Sequence, residues 1–290
     1  MNATAPVAGS HQRPAATDTR QMDDGEVLFL RHWPVDNARR GVLLVHGLGE
    51  HSGRYAEVAS WFNRRGLDVC AYDQRGHGRS TGARGALHRA DDLLTDLTAI
   101  FADYAKRFDR PPLLVGHSMG GLVVARAVLD GRVVPNGLVM SSPALRSLES
   151  GFIKRLVRVF TFTVPRLPLT RSQHLQWLSH DPAVAARVEV DSLCSRRITP
   201  RLADFIFRAG ASCIADASRL AVPTLLMAAG TDHLVDPDGS RDFAAAAQDT
   251  ERVTYRAFPS CFHELFNEAE PKRSEVMHAL ATWLDTLPHG

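Results

Sequence analysis

Ser118 lies in the glycine-framed stretch GHSMG, at positions 116–120. The stretch matches G-x-S-x-G; the apolar run PLLV precedes it and the helix-like pattern MGGLVVARAVL begins within it. In a strand–turn–helix elbow the serine takes a strained backbone conformation, which requires small neighbours, and Gly116 and Gly120 supply them. The helix N-terminus also places positive partial charge beside the serine oxygen. We therefore predict that Ser118 is a nucleophile rather than part of a structural turn.

The nucleophile requires an acid–base pair. A serine hydroxyl reacts only when a histidine takes its proton and a carboxylate holds that histidine in the correct tautomer. In chains with an elbow of this kind, the serine comes first in the sequence, the acid second and the histidine third, and the acid follows one of the last strands. The run LLMAAGTDHLVD offers Asp232 at that place. Asp236 is the alternative, but its position favours a cap of the next helix, so we predict Asp232 as the acid.

The general base should follow the last strand. The run VTYRAFPSCFHELFNE places His263 there, after a Pro-Ser turn. The chain contains 13 histidines, so position rather than residue type must select one. His233 lies beside the acid, His278 lies in the final helical pattern, and His117 lies in the elbow itself. We predict His263 as the base.

Acyl transfer to a serine also needs two backbone N–H groups directed at the developing negative charge. One should come from Met119, the residue after the nucleophile. The other should come from the glycine-rich loop HGLGEHSGRY, which follows the apolar run GVLLV, and by position its donor is Leu48. His46 and Gly47 then shape the turn. We predict Leu48 and Met119 as the donors of an oxyanion hole.

No motif indicates a cofactor or a metal. The stretch RGHGRSTG (75–82) resembles a phosphate-binding loop, but Thr81 stands where the third glycine belongs. The stretch HELFN (263–267) nearly matches the zinc motif H-E-x-x-H, but Asn267 replaces the second histidine. The four cysteines show no paired spacing, which argues against a disulfide framework and fits a reducing compartment. We predict no cofactor, no metal and a cytoplasmic location.

The elements that position these residues follow from the apolar pattern. The predicted strands are 26–33, 41–47, 67–73, 113–118, 137–142, 222–230 and 253–258. The predicted helices lie near 54–65, 88–107, 119–130, 238–247 and 271–286. Most strands are apolar throughout, which is typical of central strands covered on both faces. The alternation predicts a doubly wound α/β sheet.

One segment interrupts the alternation. Between residues 145 and 219 no convincing buried strand occurs, and stretches such as GFIKRLVRVFTFTVPRLPL mix aromatic, branched and basic residues. We interpret 145–219 as a mostly helical cap inserted into a core formed by 25–144 and 220–290. An insertion at this point lies over the carboxyl ends of the strands, where open α/β sheets bind ligands. The alternative, a helical excursion that only adds bulk, stays open.

The charge balance of the chain limits the classes of partner that we expect it to bind. The chain carries 34 basic and 32 acidic residues, a net charge of +2, which gives no reason to expect nucleic acid. The excess is local, since 12 basic and 6 acidic residues lie between Leu145 and Leu220. The cap therefore either presents a solvated basic face or rests on an anionic membrane surface while lipid enters. Residues 1–24 lack an apolar segment and predict a flexible tail. No stretch approaches the roughly 18 apolar residues of a spanning helix.

Five stretches together resemble a known family: HGLGEHSGRY, AYDQRGHGRS, GHSMGG, VPTLLMAAGTDHLVDPDGSRDF and FHELFNE. They are similar to motifs of the monoacylglycerol lipase and lysophospholipase group of α/β-hydrolases, from about Glu26 to the C-terminus. The resemblance implies an eight-stranded, mostly parallel sheet with a helical cap and no cofactor. It also implies a triad and two oxyanion donors at the positions selected above, with RGHGRS as a supporting loop. The cap differs more than the rest of the chain from the pattern of this family, because Asp191-Ser192-Leu193 keeps only part of the common Asp-Pro-Leu motif.

The residues and the resemblance predict hydrolysis of a carboxylic ester through an acyl-enzyme. In line with the resemblance, we expect the substrate to be a monoacylglycerol or a lysophospholipid with a medium or long acyl chain. The apolar residues of the cap favour such a chain, since its burial contributes about 0.8 kcal/mol per CH₂. A carboxylesterase, thioesterase or peptidase acting on smaller substrates stays open. A ligand-binding receptor on the same scaffold is the other alternative, against which the complete triad argues.

Overall fold

The computed structural model describes residues 15–172 and 174–288. Ten strands lie in these residues: β1 (Ala16–Gln21), β2 (Val27–Trp33), β3 (Gly41–Val45), β4 (Asp68–Tyr72), β5 (Leu113–His117), β6 (Leu138–Ser141), β7 (Leu169–Thr170), β8 (Arg197–Ile198), β9 (Thr224–Ala229) and β10 (Val253–Phe258). Eight of them form one sheet in the order β1-β2-β4-β3-β5-β6-β9-β10. The pairs β1–β2 and β2–β4 are antiparallel and the others are parallel. The predicted α/β sheet is therefore confirmed.

Helices cover both faces of the sheet. The described residues form α1 (Ala56–Asn63), α2 (Asp92–Ala105), α3 (Met119–Leu129), α4 (Gly151–Thr163), α5 (Pro182–Val190), α6 (Pro200–Ala215), α7 (Asp238–Ala246) and α8 (Lys272–Leu284). Successive residues of a strand point to opposite faces. In β3, Leu43 packs with side chains of α2 and α3, whereas Val42 and Leu44 pack with side chains of α1 and α8. Burial on both faces explains why these strands are apolar throughout.

The predicted tail is partly wrong. Ala16–Gln21 forms β1, an edge strand that pairs with β2 from Ala16–His32 to Gln21–Val27. Its sequence, ATDTRQ, is polar because most of its side chains are exposed, so backbone pairing rather than apolar burial makes it a strand. Residues 1–14 lie outside the described residues.

The predicted cap segment is mostly helical. Between β6 and β9 the chain forms α4, α5 and α6, and the two-residue strands β7 and β8 pair with each other instead of joining the main sheet. We call this pair the cap ribbon. Helix α6 packs against α3 of the core, and Gly210 permits a close approach to the carbonyl of Leu145. The division of the chain into core and cap at residues 145 and 219 stays a prediction.

Helix α4 has an unusual surface. It has no buried residue, and Phe152 and Phe162 are each 73% exposed. Among the described residues, no helix combines the length and the apolarity needed to cross a bilayer. The cytoplasmic location stays a prediction.

Candidate active site

Ser118 occupies a strained turn between β5 and α3. Its φ of 53° and ψ of −119° are rare for a residue with a side chain. A Cβ at Gly116 would lie 2.5 Å from the carbonyl oxygen of Gly120, and a Cβ at Gly120 would collide with the carbonyl oxygen of Val45. The Ser118 N–H donates to the carbonyl of Ser141 at 3.0 Å. The glycines are therefore required by the close packing of the elbow, as the motif predicted.

His263 and Asp232 form a buried pair. Asp232 follows β9 and His263 follows β10, and His263 Nδ1 lies 2.6 Å from Asp232 Oδ2. Asp232 Oδ1 accepts the N–H groups of Leu234 at 2.8 Å and Val235 at 3.0 Å. This pairing assigns the proton of Nδ1 to the bond with Asp232 and leaves Nε2 as the acceptor.

The two pKa values follow from this contact. Burial would raise the pKa of Asp232, but the charge and hydrogen bond of His263 and the two N–H donors lower it overall. Burial would lower the pKa of His263, but the carboxylate of Asp232 raises it overall. The acid is therefore ionised at neutral pH, and the base gains proton affinity from it.

Ser118 and His263 face one cavity of about 290 Å³, and Ser118 is partly exposed to it. The competing residues have other contacts. Asp236 accepts the N–H of Asp238 at the start of α7. His117 Nδ1 lies 3.1 Å from the carbonyl oxygen of Ser141, and burial lowers its pKa to about 4. Neither residue has a described hydrogen bond that joins a carboxylate to an imidazole, which is the pair that His263 and Asp232 form.

The two candidate oxyanion donors lie beside the nucleophile. Leu48 and Met119 both line the cavity, and a Cβ at Gly47 would lie 3.1 Å from the Cβ of Ser118. Met119 is the first residue of α3, where an N–H group has no partner within the helix. His46 fixes the turn before Leu48, because its Nε2 accepts the N–H of Gln74 at 2.9 Å. The two amides are thus available at the nucleophile, and their role stays a prediction.

A buried cluster of charges, Glu50–Arg54–Glu264, was not found by sequence reasoning. Arg54 contacts Glu50 at 2.8 Å and both oxygens of Glu264 at 2.8 and 2.7 Å. Glu50 also accepts the N–H of Gly47 at 2.5 Å and the hydroxyl of Tyr55 at 2.8 Å. Burial would raise the pKa of Glu50, but Arg54 and nearby histidines hold it at about 2. The cluster therefore joins the loop that carries the candidate oxyanion donor Leu48 to Glu264, the residue after His263.

The loop at 75–80, with the sequence RGHGRS, contacts both α2 and the residues around His46. Arg75 contacts both oxygens of Asp96 at 2.6 Å. The ring of His77 packs 5.3 Å from that of His46, and Asp73 accepts the N–H of Ser52 at 2.7 Å. Residues 73–77 therefore contact the loop at 46–52, which carries the candidate oxyanion donor Leu48 and is called the oxyanion loop below, and the supporting role that the family resemblance implied stays a prediction.

The cap touches the oxyanion loop directly. Arg171 Nη2 donates to the carbonyl of Leu48 at 2.9 Å, and the N–H of Ser195 donates to the carbonyl of Gly49 at 2.9 Å. Sequence reasoning did not identify these contacts, because residues more than 120 positions apart show no local pattern. The cap is therefore hydrogen-bonded to the loop that carries a candidate oxyanion donor.

Within residues 15–172 and 174–288, one group of side chains has atoms suitable for a metal. A nitrogen of His51, an oxygen of Asp191 and the sulfur of Cys194 lie within 4.8 Å of one another. However, His51 Nε2 already lies 2.8 Å from Asp191, and burial raises the pKa of Cys194 to about 12. A protonated thiol is a poor metal ligand. We interpret His51–Asp191 as a further contact between cap and core.

Comparison with known proteins identifies similar chains. The Hydrolase_4 family, described as serine aminopeptidase, S33, matches residues 36–270. A monoacylglycerol lipase of Mycolicibacterium smegmatis is 31% identical over 87% of this chain and 90% of that protein. An abhydrolase domain-containing protein of Dictyostelium discoideum is 31% identical over 90% of this chain, which spans 28% of that longer protein. The crystal structure of Paleococcus ferrophilus monoacylglycerol lipase has a TM-score of 0.82 at 31% identity, covering 90% of this chain and 99% of that one.

Proposed function

Because the chain belongs to the Hydrolase_4 family of serine hydrolases, we propose that it hydrolyses the carboxylic ester of a monoacylglycerol or a lysophospholipid. The observation that carries this proposal is the 2.6 Å pair of His263 and Asp232 in the cavity of Ser118. The similarity to monoacylglycerol lipases over most of the chain supports the choice of a lipid ester.

The proposed mechanism has two halves. His263 Nε2 takes the proton of Ser118 while Oγ attacks the ester carbonyl, and the amides of Leu48 and Met119 stabilise the oxyanion. The intermediate collapses, His263 protonates the departing alcohol, and the acyl group stays on Ser118. Water, deprotonated by His263, then attacks the acyl-enzyme; the second intermediate collapses to release the fatty acid, and His263 returns the proton to Ser118 Oγ. Asp232 holds the imidazole and stabilises its charged form throughout.

The cavity wall supports an acyl substrate. Most of its lining is apolar and comes from both core and cap, including Leu48, Ile153, Val157, Leu175, Ile206, Phe207 and Val235. Ligand pockets of this kind are mainly hydrophobic, with a few polar groups that fix orientation. A hydrocarbon chain is what such a wall favours, with the ester directed at Ser118.

The test is Ser118→Ala with a monoacylglycerol and a fluorophosphonate label. Hydrolysis is expected to fall by at least about 10³-fold, because the nucleophile is lost. Covalent labelling should disappear as well. Ser274→Ala is the matched control, since Ser274 is an exposed serine of α8 and should leave both readouts at wild-type values. An S118A protein that retains more than a few per cent of wild-type hydrolysis would overturn the mechanism.

We also propose that the cap rests on an anionic membrane surface. Phe152 and Phe162 of α4 lie exposed, and Lys154 and Arg155 are on the same helix. An exposed apolar face combined with basic residues is typical of helices that lie in the membrane interface. A solvated basic face is the alternative interpretation.

Liposome flotation separates the two interpretations. Binding to anionic vesicles is expected, with much weaker binding to neutral ones, and Phe152→Ser with Phe162→Ser should abolish it. Val134→Ser is the control, because Val134 is an apolar residue that is 66% exposed but lies outside the cap, in the loop between α3 and β6. Equal and negligible binding of the wild-type protein to both vesicles would remove the membrane proposal.

A further inference from the structure

Three arginines line the active-site cavity: Arg54, Arg146 and Arg171. Arg54 belongs to the buried cluster and is held by two carboxylates. Arg146 contacts Asp242 and lies 3.9 Å from Asp236. Among the residues that the structure describes, Arg171 is the one cavity-lining arginine without a carboxylate at ion-pair distance. The cavity therefore contains a cation whose charge the chain does not neutralise by direct contact.

The surroundings of Arg171 make this charge costly. Its side chain is partly buried, Nη2 donates to the carbonyl of Leu48, and Nε is buried without a hydrogen-bond partner. Burial lowers the pKa of Arg171 to about 10, partly offset by the charge of Glu50, so the group is still charged at neutral pH. A buried charge without a paired opposite charge destabilises the fold. An anion bound from outside would remove this cost.

The position of Arg171 indicates which part of the substrate would carry that anion. The guanidinium packs on the oxyanion loop, bonded to Leu48 and against Gly49, next to the place where the ester carbonyl must lie. A lipid ester consists of a hydrocarbon acyl chain and an alcohol, and only the alcohol carries charged groups. The anion is therefore expected on the head group.

We propose that Arg171 recognises a phosphate on the alcohol of the substrate, so that a monoacyl phospholipid is preferred over a neutral monoacylglycerol. This inference rests on the proposed function and specifies its substrate. Phosphate is the favoured anion because the planar guanidinium donates several N–H groups in a fork that matches phosphate oxygens. On hydrolysis Ser118 takes the acyl group and the phosphorylated alcohol leaves with the proton from His263.

The experiment compares two octanoyl esters, 1-octanoylglycerol and 1-octanoylglycerol 3-phosphate, both kept monomeric so that surface charge cannot recruit the cap. The ratio of their kcat/KM values is measured for wild type, Arg171→Gln, Arg171→Lys and Arg197→Gln. Arg197 is the matched control, because it lies exposed in the cap ribbon, opposite the residue before Arg171, and it does not line the cavity.

Wild type should prefer the phosphate ester, and R171Q should reduce this preference about tenfold, the effect of one charge-assisted hydrogen bond. R171K keeps a charge without the fork and should fall between the two, and R197Q should keep the wild-type ratio. Glycerol 3-phosphate, the free head group, should inhibit wild type and not R171Q.

An unchanged ratio in R171Q would overturn the inference. If kcat/KM then stays at the wild-type value for both esters, Arg171 has no role in catalysis or in recognition of the head group. If kcat/KM falls equally for both esters, Arg171 only holds the carbonyl of Leu48 in place. The ratio is taken on one preparation of each variant, so partial loss of folded protein cancels. Failure of wild type to hydrolyse either ester, with Ser118 unlabelled, would instead overturn the proposed function.

Discussion

At the residue scale, Asp232 determines the proton affinity of His263. Burial alone would lower the pKa of the imidazole, but the carboxylate raises it above the usual 6.5. A general base acts only while it is neutral. In wild type, kcat/KM should therefore fall as the pH drops through a value above 6.5, and it should be constant on the alkaline side of that value.

Asp232→Asn should change both the rate and its pH dependence. The change removes the anion and favours the wrong tautomer, so kcat should fall by about 10⁴-fold. The acidic limb of the remaining kcat/KM should move to lower pH, because the imidazolium loses its stabilising charge. Rate profiles with a water-soluble ester measure both effects. Asp236→Asn is the control and should match wild type; an unshifted limb in D232N would contradict the assigned pair.

The sequence reveals some of these residues and hides others. Ser118 directly follows β5, and Asp232 and His263 lie in the loops after β9 and β10, so motif and element position select them. The cluster of Glu50, Arg54 and Glu264 escapes this reasoning, since Arg54 and Glu264 are 210 positions apart. No local sequence feature distinguishes a carboxylate that is buried against an arginine in the fold from one that is exposed to solvent.

At the element scale, the elbow depends on the absence of side chains. Gly120→Ala should lower both stability and activity, because the added methyl would collide with the carbonyl of Val45 in β3. Overpacking of this kind costs about 1–3 kcal/mol, and a shift of α3 would displace Ser118 and Met119. Thermal unfolding and kcat on a soluble ester measure the two effects.

The control for Gly120→Ala is Gly151→Ala. Gly151 is the first residue of α4, and a Cβ there meets nothing within 4 Å. The melting temperature of the G151A protein should equal or slightly exceed that of wild type, because alanine favours the helix. A G120A protein with wild-type stability and wild-type kcat would contradict the close packing assigned to the elbow.

The composition and length of each strand explain where prediction of the fold from the sequence succeeded and where it failed. Seven strands and five helices of the core were predicted near their observed positions, because buried parallel strands are apolar on both faces. Strand β1 was missed since its residues are polar and mostly exposed. The strands of the cap ribbon have two residues each, which is too short for any periodic pattern.

At the scale of the whole molecule, the cavity of Ser118 is lined both by residues of the main α/β unit and by residues of the segment between β6 and β9, which we propose as the site of the acyl chain. We expect kcat/KM to rise with acyl length by about fourfold per CH₂, from about 0.8 kcal/mol per group, until the cavity is filled. A series of p-nitrophenyl esters measures the slope, and acyl-CoA substrates of the same lengths serve as the comparison. A maximum at acetate would indicate a small-ester esterase, and faster thioester cleavage at every length would indicate a thioesterase.

The cap ribbon has a consequence for protein engineering. Arg171 and Ser195, which flank its two strands, donate hydrogen bonds to the carbonyls of Leu48 and Gly49, and these bonds cross the junction that a chimaera would cut. A donor cap grafted between β6 and β9 would leave those two carbonyls facing foreign side chains. Substrate range in this scaffold should therefore transfer only when the loop at 48–51 is exchanged together with the cap, as a single cassette.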